Sequence, residues 1–92
     1  MGVGKPRSGS DAVEAANAAV AAHLRAERAR ADMKQTELAE AAHLAVNTIR
    51  RLESGERKMT LEQLVLIAEA LGVTPGEFLD AAQSAFRKRQ GQ

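Results

Sequence analysis

Apolar residues recur at spacings of three and four along most of the chain and do not alternate in twos, which predicts helices and no strands, an all-α fold. The first helix is alanine-rich. Asp11 offers its cap, Glu14 stands at the reciprocal capping-box position, and the pattern runs to about Arg30. Leu38, Ala39 and Ala42 give a second, short segment from Gln35 a small-residue inner face, and Ile49 with Leu52 does the same for a third that reaches Ser54. The fourth helix is closely punctuated: Thr60 and Gln63 form a capping box, and Gly72 stands at the C′ position. Between them Leu61, Leu64, Val65, Ala68 and Leu71 make a stripe expected to face the core. Thr74, Pro75 and Glu77 open a fifth helix carrying Phe78, Leu79 and Ala82, which should continue toward Lys88.

The two halves of the first helix differ. Leu24 to Ala31 mixes charged and apolar residues as a packed helix does, whereas Val13 to Ala22 is nearly all alanine. That earlier stretch is expected to be solvent-exposed, with a partner-facing extension as the alternative. The third helix has an uncommon outer side. Val46, Asn47, Arg50, Arg51 and Ser54 follow one another at spacings of one, three and four, on the side away from Ile49 and Leu52. Two short amphipathic helices across a tight turn, the second studded with hydrogen-bonding and basic side chains, form the layout of a DNA-reading helix-turn-helix at residues 35–54.

Composition narrows the setting more than the function. A chain of 92 residues with 45% hydrophobic content fits one small domain with a marginal core. It has no cysteine, so disulfides, thiolate zinc sites and thiol catalysis are excluded. No apolar run reaches the roughly 18 residues of a membrane span, and residues 1–10 read as a disordered basic tail without a signal-peptide core. The expected location is cytoplasmic, with no membrane partner. A net charge of +1 is weak support for nucleic acid binding by itself. Its distribution matters more: Arg50, Arg51, Arg57 and Lys58 cluster in or just after the third helix, and Arg87, Lys88 and Arg89 make residues 83–92 a basic extension.

With these helices placed, Leu24 to Leu79 resembles the Xre/Cro family of phage-repressor-like helix-turn-helix regulators. The resemblance rests on LRAER at Leu24–Arg28, QTELA at Gln35–Ala39, NTIRRLESGER at Asn47–Arg57 and LVLIAEALGV at Leu64–Val73, in the family's order and spacing. It implies a five-helix bundle of the phage-repressor DNA-binding type, spanning residues 11–82 here with an extended first helix, and dimers on operator DNA. It puts Gln35 against a phosphate or base and Val46, Asn47 and Arg51 on the major-groove face, bordered by Arg50. The chemistry agrees independently: Asn can bridge adenine N6 and N7, Arg can bridge guanine O6 and N7, and Val can press on a thymine methyl. Lys34, Thr48, Ser54, Arg57 and Lys58 are assigned to the phosphate backbone. Arg28 and Glu53 are read as a structural ion pair that fixes the third helix against the first.

Four positions depart from the family pattern. His43 stands at the turn where Gly is usual, asking a non-Gly residue to adopt a left-handed conformation, and Asp32 replaces another frequent Gly. Lys34 and Ala45 replace the small hydroxyl caps, so those helix starts are expected to lack a side-chain acceptor for their free amides. Enzymatic function is not expected: His23 and His43 lie in separate elements, and no Ser-based or phosphate-loop motif exists. No cofactor, metal or small-molecule ligand is implied. The reading is a sequence-specific regulator of double-stranded DNA, a repressor acting as a homodimer on a partly palindromic operator. Phe78, Leu79 and Phe86 are candidates for its dimer surface, though they serve equally to close the core. The alternative is a protein-interaction module, such as an antitoxin or adaptor, that binds a protein partner through the first helix or the tail.

Overall fold

The computed structural model describes residues 9–89 and 91, and its helices are α1 (Gly9–Arg30), α2 (Gln35–Ala42), α3 (Val46–Ser54), α4 (Leu61–Leu71) and α5 (Pro75–Arg89). The described residues contain no strand, and none of their helices is long and apolar enough to cross a membrane. The tail expected at residues 1–10 lies outside the described residues as far as position 8. Gly9 and Ser10 already belong to α1, so Asp11 sits within the first turn rather than capping it.

Leu24, Leu38, Ile49, Leu52, Ile67 and Phe78 draw all five helices onto one core. α1 and α5 run antiparallel at one side, with the His23 ring meeting Phe78 edge to face at a centroid distance of 4.7 Å. The molecule measures 47 × 21 × 20 Å, its long dimension reflecting the 22 residues of α1.

Three helices stop in the same way. Asp32, His43 and Gly72 each take the left-handed conformation, with φ of 57°, 59° and 79°. In each case the next residue's amide reaches back five positions: Met33 to the Arg28 carbonyl, Leu44 to Ala39, and Val73 to Ala68. This is the Schellman arrangement, in which two end carbonyls gain donors. The side chains at Asp32 and His43 accept a conformation that favours glycine, at a cost of order 1 kcal/mol each. At the helix starts, Thr60 with Gln63 and Thr74 with Glu77 form reciprocal pairs. Glu37 accepts the Lys34 amide at 2.8 Å, a half box that serves α2 where the cap side chain cannot.

Two expectations about burial need correction. The alanine stretch of α1 is not simply solvated: Ala19 and Ala21 are 1% and 3% exposed, because small side chains let α5 and the end of α3 approach closely. The α4 stripe is also narrower than expected. Leu64, Ile67 and Ala68 are buried, whereas Leu61 is 75% and Val65 50% exposed. A stripe at positions i, i+3 and i+4 fits two faces of one helix, and the neighbours α2 and α5 cover only the face that includes Ile67.

Candidate nucleic-acid interface

α3 divides sharply between an inner and an outer side. Ile49, Leu52 and Glu53 are buried, while Asn47, Arg50, Arg51 and Ser54 are exposed. Val46 and Thr48 are half-buried, Val46 packing on the edge of the core. The loop after α3 exposes Arg57 and Lys58 beside the acid Glu56, and Lys34 is exposed just before α2. Gln35, Val46 and Thr48 are half-buried, whereas Lys34, Asn47, Arg50, Arg51, Ser54, Arg57 and Lys58 are exposed.

Glu53 is the anchor of this arrangement. Its carboxylate accepts from Arg28 twice, Nε at 2.6 Å and Nη2 at 3.1 Å, and from Gln35 Nε2 at 3.0 Å. Arg28 also donates to the Met33 carbonyl at 2.8 Å, so one guanidinium ties α1, the α1–α2 turn and α3 together. A paired fork of this kind fixes direction as well as distance. The side-chain hydrogen bond to Glu53 holds the Arg28 guanidinium above the ordinary arginine range; burial opposes this and the carboxylate's charge adds to it. The negative charge of Glu53 is matched internally, which leaves the exposed Arg50 and Arg51 to set the sign of the outer side.

The end of α3 is held differently from the ends of α1, α2 and α4. Gly55 takes φ 81°, its amide reaches the Leu52 carbonyl, and the Arg57 amide reaches Arg51. Ser54 Oγ donates to the Arg51 carbonyl and accepts the Glu56 amide. The Glu53 carbonyl accepts from Arg25 Nη1, and the Gly55 carbonyl accepts from Asn17 Nδ2 at 2.8 Å. The sequence patterns assign no role to Asn17, nor to Arg25 beyond its place in the LRAER segment. The available signal was the lone amide side chain inside an alanine run, two helical turns before an arginine.

No group of three or more His, Cys, Asp or Glu residues that could hold a metal ion occurs among the described residues.

Residues 24–78 match the helix-turn-helix family model. The HTH-type transcriptional regulator PrtR of Pseudomonas aeruginosa is 43% identical over 76 residues; the match covers 77% of this chain but only 29% of PrtR. Among solved structures, the clp gene regulator ClgR from Corynebacterium glutamicum superposes with a TM-score of 0.77 at 28% identity, covering 84% of this chain and 82% of that one. The restriction-modification controller protein C.Esp1396I gives 0.74 at 25% identity, covering 79% and 95%. The chain, with its α2–α3 unit and the charged outer side of α3, belongs to the Xre/Cro-type helix-turn-helix family of DNA-binding regulators.

Proposed function

We propose that this chain is a transcriptional repressor that reads double-stranded DNA by sequence, with α3 in the major groove. One observation carries the reading: α3 is fastened through its buried side, while Asn47, Arg50 and Arg51 are exposed on the other, uncovered by any of the described residues. Asn47 pairs with adenine and the arginines with guanine, each good bidentate contact giving roughly 1–3 kcal/mol of discrimination, and Val46 meets a thymine methyl. Gln35 presents its remaining amide atoms to the DNA from the start of α2. Lys34, Thr48, Ser54, Arg57 and Lys58 serve the backbone and supply affinity without sequence information.

The chain acts as a homodimer on a partly palindromic operator, its two α3 helices about 34–36 Å apart in successive major grooves. Exposed Leu61, Val65 and Leu79 support a protein-facing surface away from α3, adjoining a groove formed by Ala16, Val20 and Phe86. Phe78 is not part of it, being 1% exposed in the core. The same surface supports the second reading, an adaptor or antitoxin whose protein partner occupies it.

Selection from a pool of random duplexes across a salt series tests the main reading, with a folded Asn47→Ala/Arg51→Ala variant beside it. Enrichment of a spaced inverted repeat by the native chain alone, over a salt-sensitive background common to both, is the expected result. Equal selection by the variant would overturn base reading by α3 and leave the protein-partner reading.

A further inference from the structure

The recognition surface on α3 is only as accurate as the helix's placement, and α1 controls that placement through a line of side chains. Asn17, Ala21, Arg25 and Arg28 follow at spacings of four, four and three, so they lie along one side of α1. Each meets the last turn of α3. Asn17 donates to the Gly55 carbonyl, Ala21 stands opposite the Gly55 α-carbon, Arg25 donates to the Glu53 carbonyl, and Arg28 grips the Glu53 carboxylate.

A helix ends with carbonyls that lack internal donors, and these carry the negative end of its dipole. In α1, α2 and α4 the following backbone amides satisfy them locally. In α3 the Gly55 and Arg57 amides reach the Leu52 and Arg51 carbonyls locally, but the Glu53 and Gly55 carbonyls are served from another helix. Local caps hold a helix end to its own chain, whereas these bonds hold it to α1. Core packing of Ile49 and Leu52 and the Arg28–Glu53 fork hold α3 along its inner side, and Asn17 and Arg25 add two attachments to α1 at its last turn.

We infer that Asn17 and Arg25 are positioning residues for base reading: they touch no DNA, and they set the angle at which Asn47 and Arg51 meet the bases. This inference rests on the major-groove reading of α3 proposed above. Because Arg25 is also exposed, a direct phosphate contact is the competing role, and salt dependence separates the two. Loss of a phosphate contact weakens all duplexes alike and lowers the salt slope by about one; loss of positioning narrows the gap between right and wrong sequence and leaves the slope unchanged.

The experiment compares binding to the selected duplex and to a scrambled duplex, over a salt series, for the native chain and for Asn17→Asp, Arg25→Ala, Arg25→Lys and Asn47→Ala. Asn17→Asp keeps the size of the side chain and removes its donor, and Arg25→Lys keeps the charge and one donor. The expected result is an approximately tenfold loss of preference in Asn17→Asp and Arg25→Ala, in keeping with one hydrogen bond each, with scrambled-duplex affinity and salt slope unchanged and preference largely restored in Arg25→Lys. Native preference in both Asn17→Asp and Arg25→Ala, with preference lost in Asn47→Ala, would overturn the positioning role while sparing the reading of α3. Equal weakening on both duplexes with a reduced slope in Arg25→Ala would overturn it in favour of a phosphate contact. Native preference in Asn47→Ala would remove the base-reading role of that residue, on which the inference depends. Thermal unfolding of each variant at or near the native midpoint ensures that the comparison concerns placement and not loss of fold.

Discussion

Gln35 and Glu53 meet through a 3.0 Å hydrogen bond in which the first side chain of α2 donates to a carboxylate oxygen that also receives Arg28. The carboxylate is therefore the joint of three helices, and it fixes the orientation of the Gln35 amide. Removing the joint strands a guanidinium and an amide in a partly buried place. Glu53→Ala should lose about 3–5 kcal/mol of stability in urea unfolding, and Glu53→Gln, which retains an acceptor but not the charge, should lose less. The Arg28 contribution has the sign of a raised pKa: it is fully present below the unfolded arginine value and is lost only as pH climbs through the still higher folded value. Stability from this group should accordingly be level throughout the neutral range.

His43→Gly should stabilise the fold. The imidazole is exposed at φ 59°, so glycine relieves backbone strain without removing a buried contact. A gain of about 0.5–1 kcal/mol is expected after the entropic cost of glycine is counted, seen as a rise of several degrees in the melting midpoint. An unchanged midpoint would mean that the strain relieved only offsets the entropic cost of glycine.

Phe78→Ala should be the severe core substitution. Phe78 is 1% exposed between α1 and α4 and supports the His23 ring, in a chain whose aromatic content is only 2%. A cost of about 3–5 kcal/mol is expected, close to the whole stability of a domain this small, so circular dichroism should show the variant substantially unfolded at 37 °C.

Arg57→Ala and Lys58→Ala should each weaken binding to selected and scrambled duplexes equally. Each should also reduce the slope of log affinity against log salt by about one. A change of sequence preference in either variant would assign that side chain to the bases.

Leu61→Lys and Val65→Lys should leave the monomer folded, since both side chains are half or more exposed on α4. Each places a charge on the proposed dimer surface. Sedimentation equilibrium should show association weakened by at least tenfold, and operator binding should lose its dependence on a second half-site. Undiminished association would move the dimer contact elsewhere.

Much of the architecture was legible because the relevant forces are local. Thr60, Gln63, Thr74 and Glu77 satisfy helix-start amides within one turn, and Gly72 ends α4 by its own backbone freedom, so a short window of residues suffices to place those ends. α1 begins three residues before the start that Asp11 as a cap implies, because a cap-type side chain is also tolerated inside the first turn, where Asp11 complements the helix dipole. Leu61 and Val65 were assigned to the core because periodicity reports which residues are apolar, not which neighbour covers them.

The candidate site divides along the same line. The outer side of α3 follows from Asn47, Arg50 and Arg51 lying opposite Ile49 and Leu52, which helical geometry alone determines. The attachments of Asn17 and Arg25 to the end of α3 span 38 and 28 residues of sequence, and no periodicity connects positions so far apart. The order of helices and the chemistry of the exposed face were thus determined by the sequence itself, through spacing and caps that act within a turn or two. Tertiary structure alone decided which small residues of α1 would be buried, which apolar residues of α4 would remain in solvent, and which side chains would hold α3 in place, because each depends on where another helix packs.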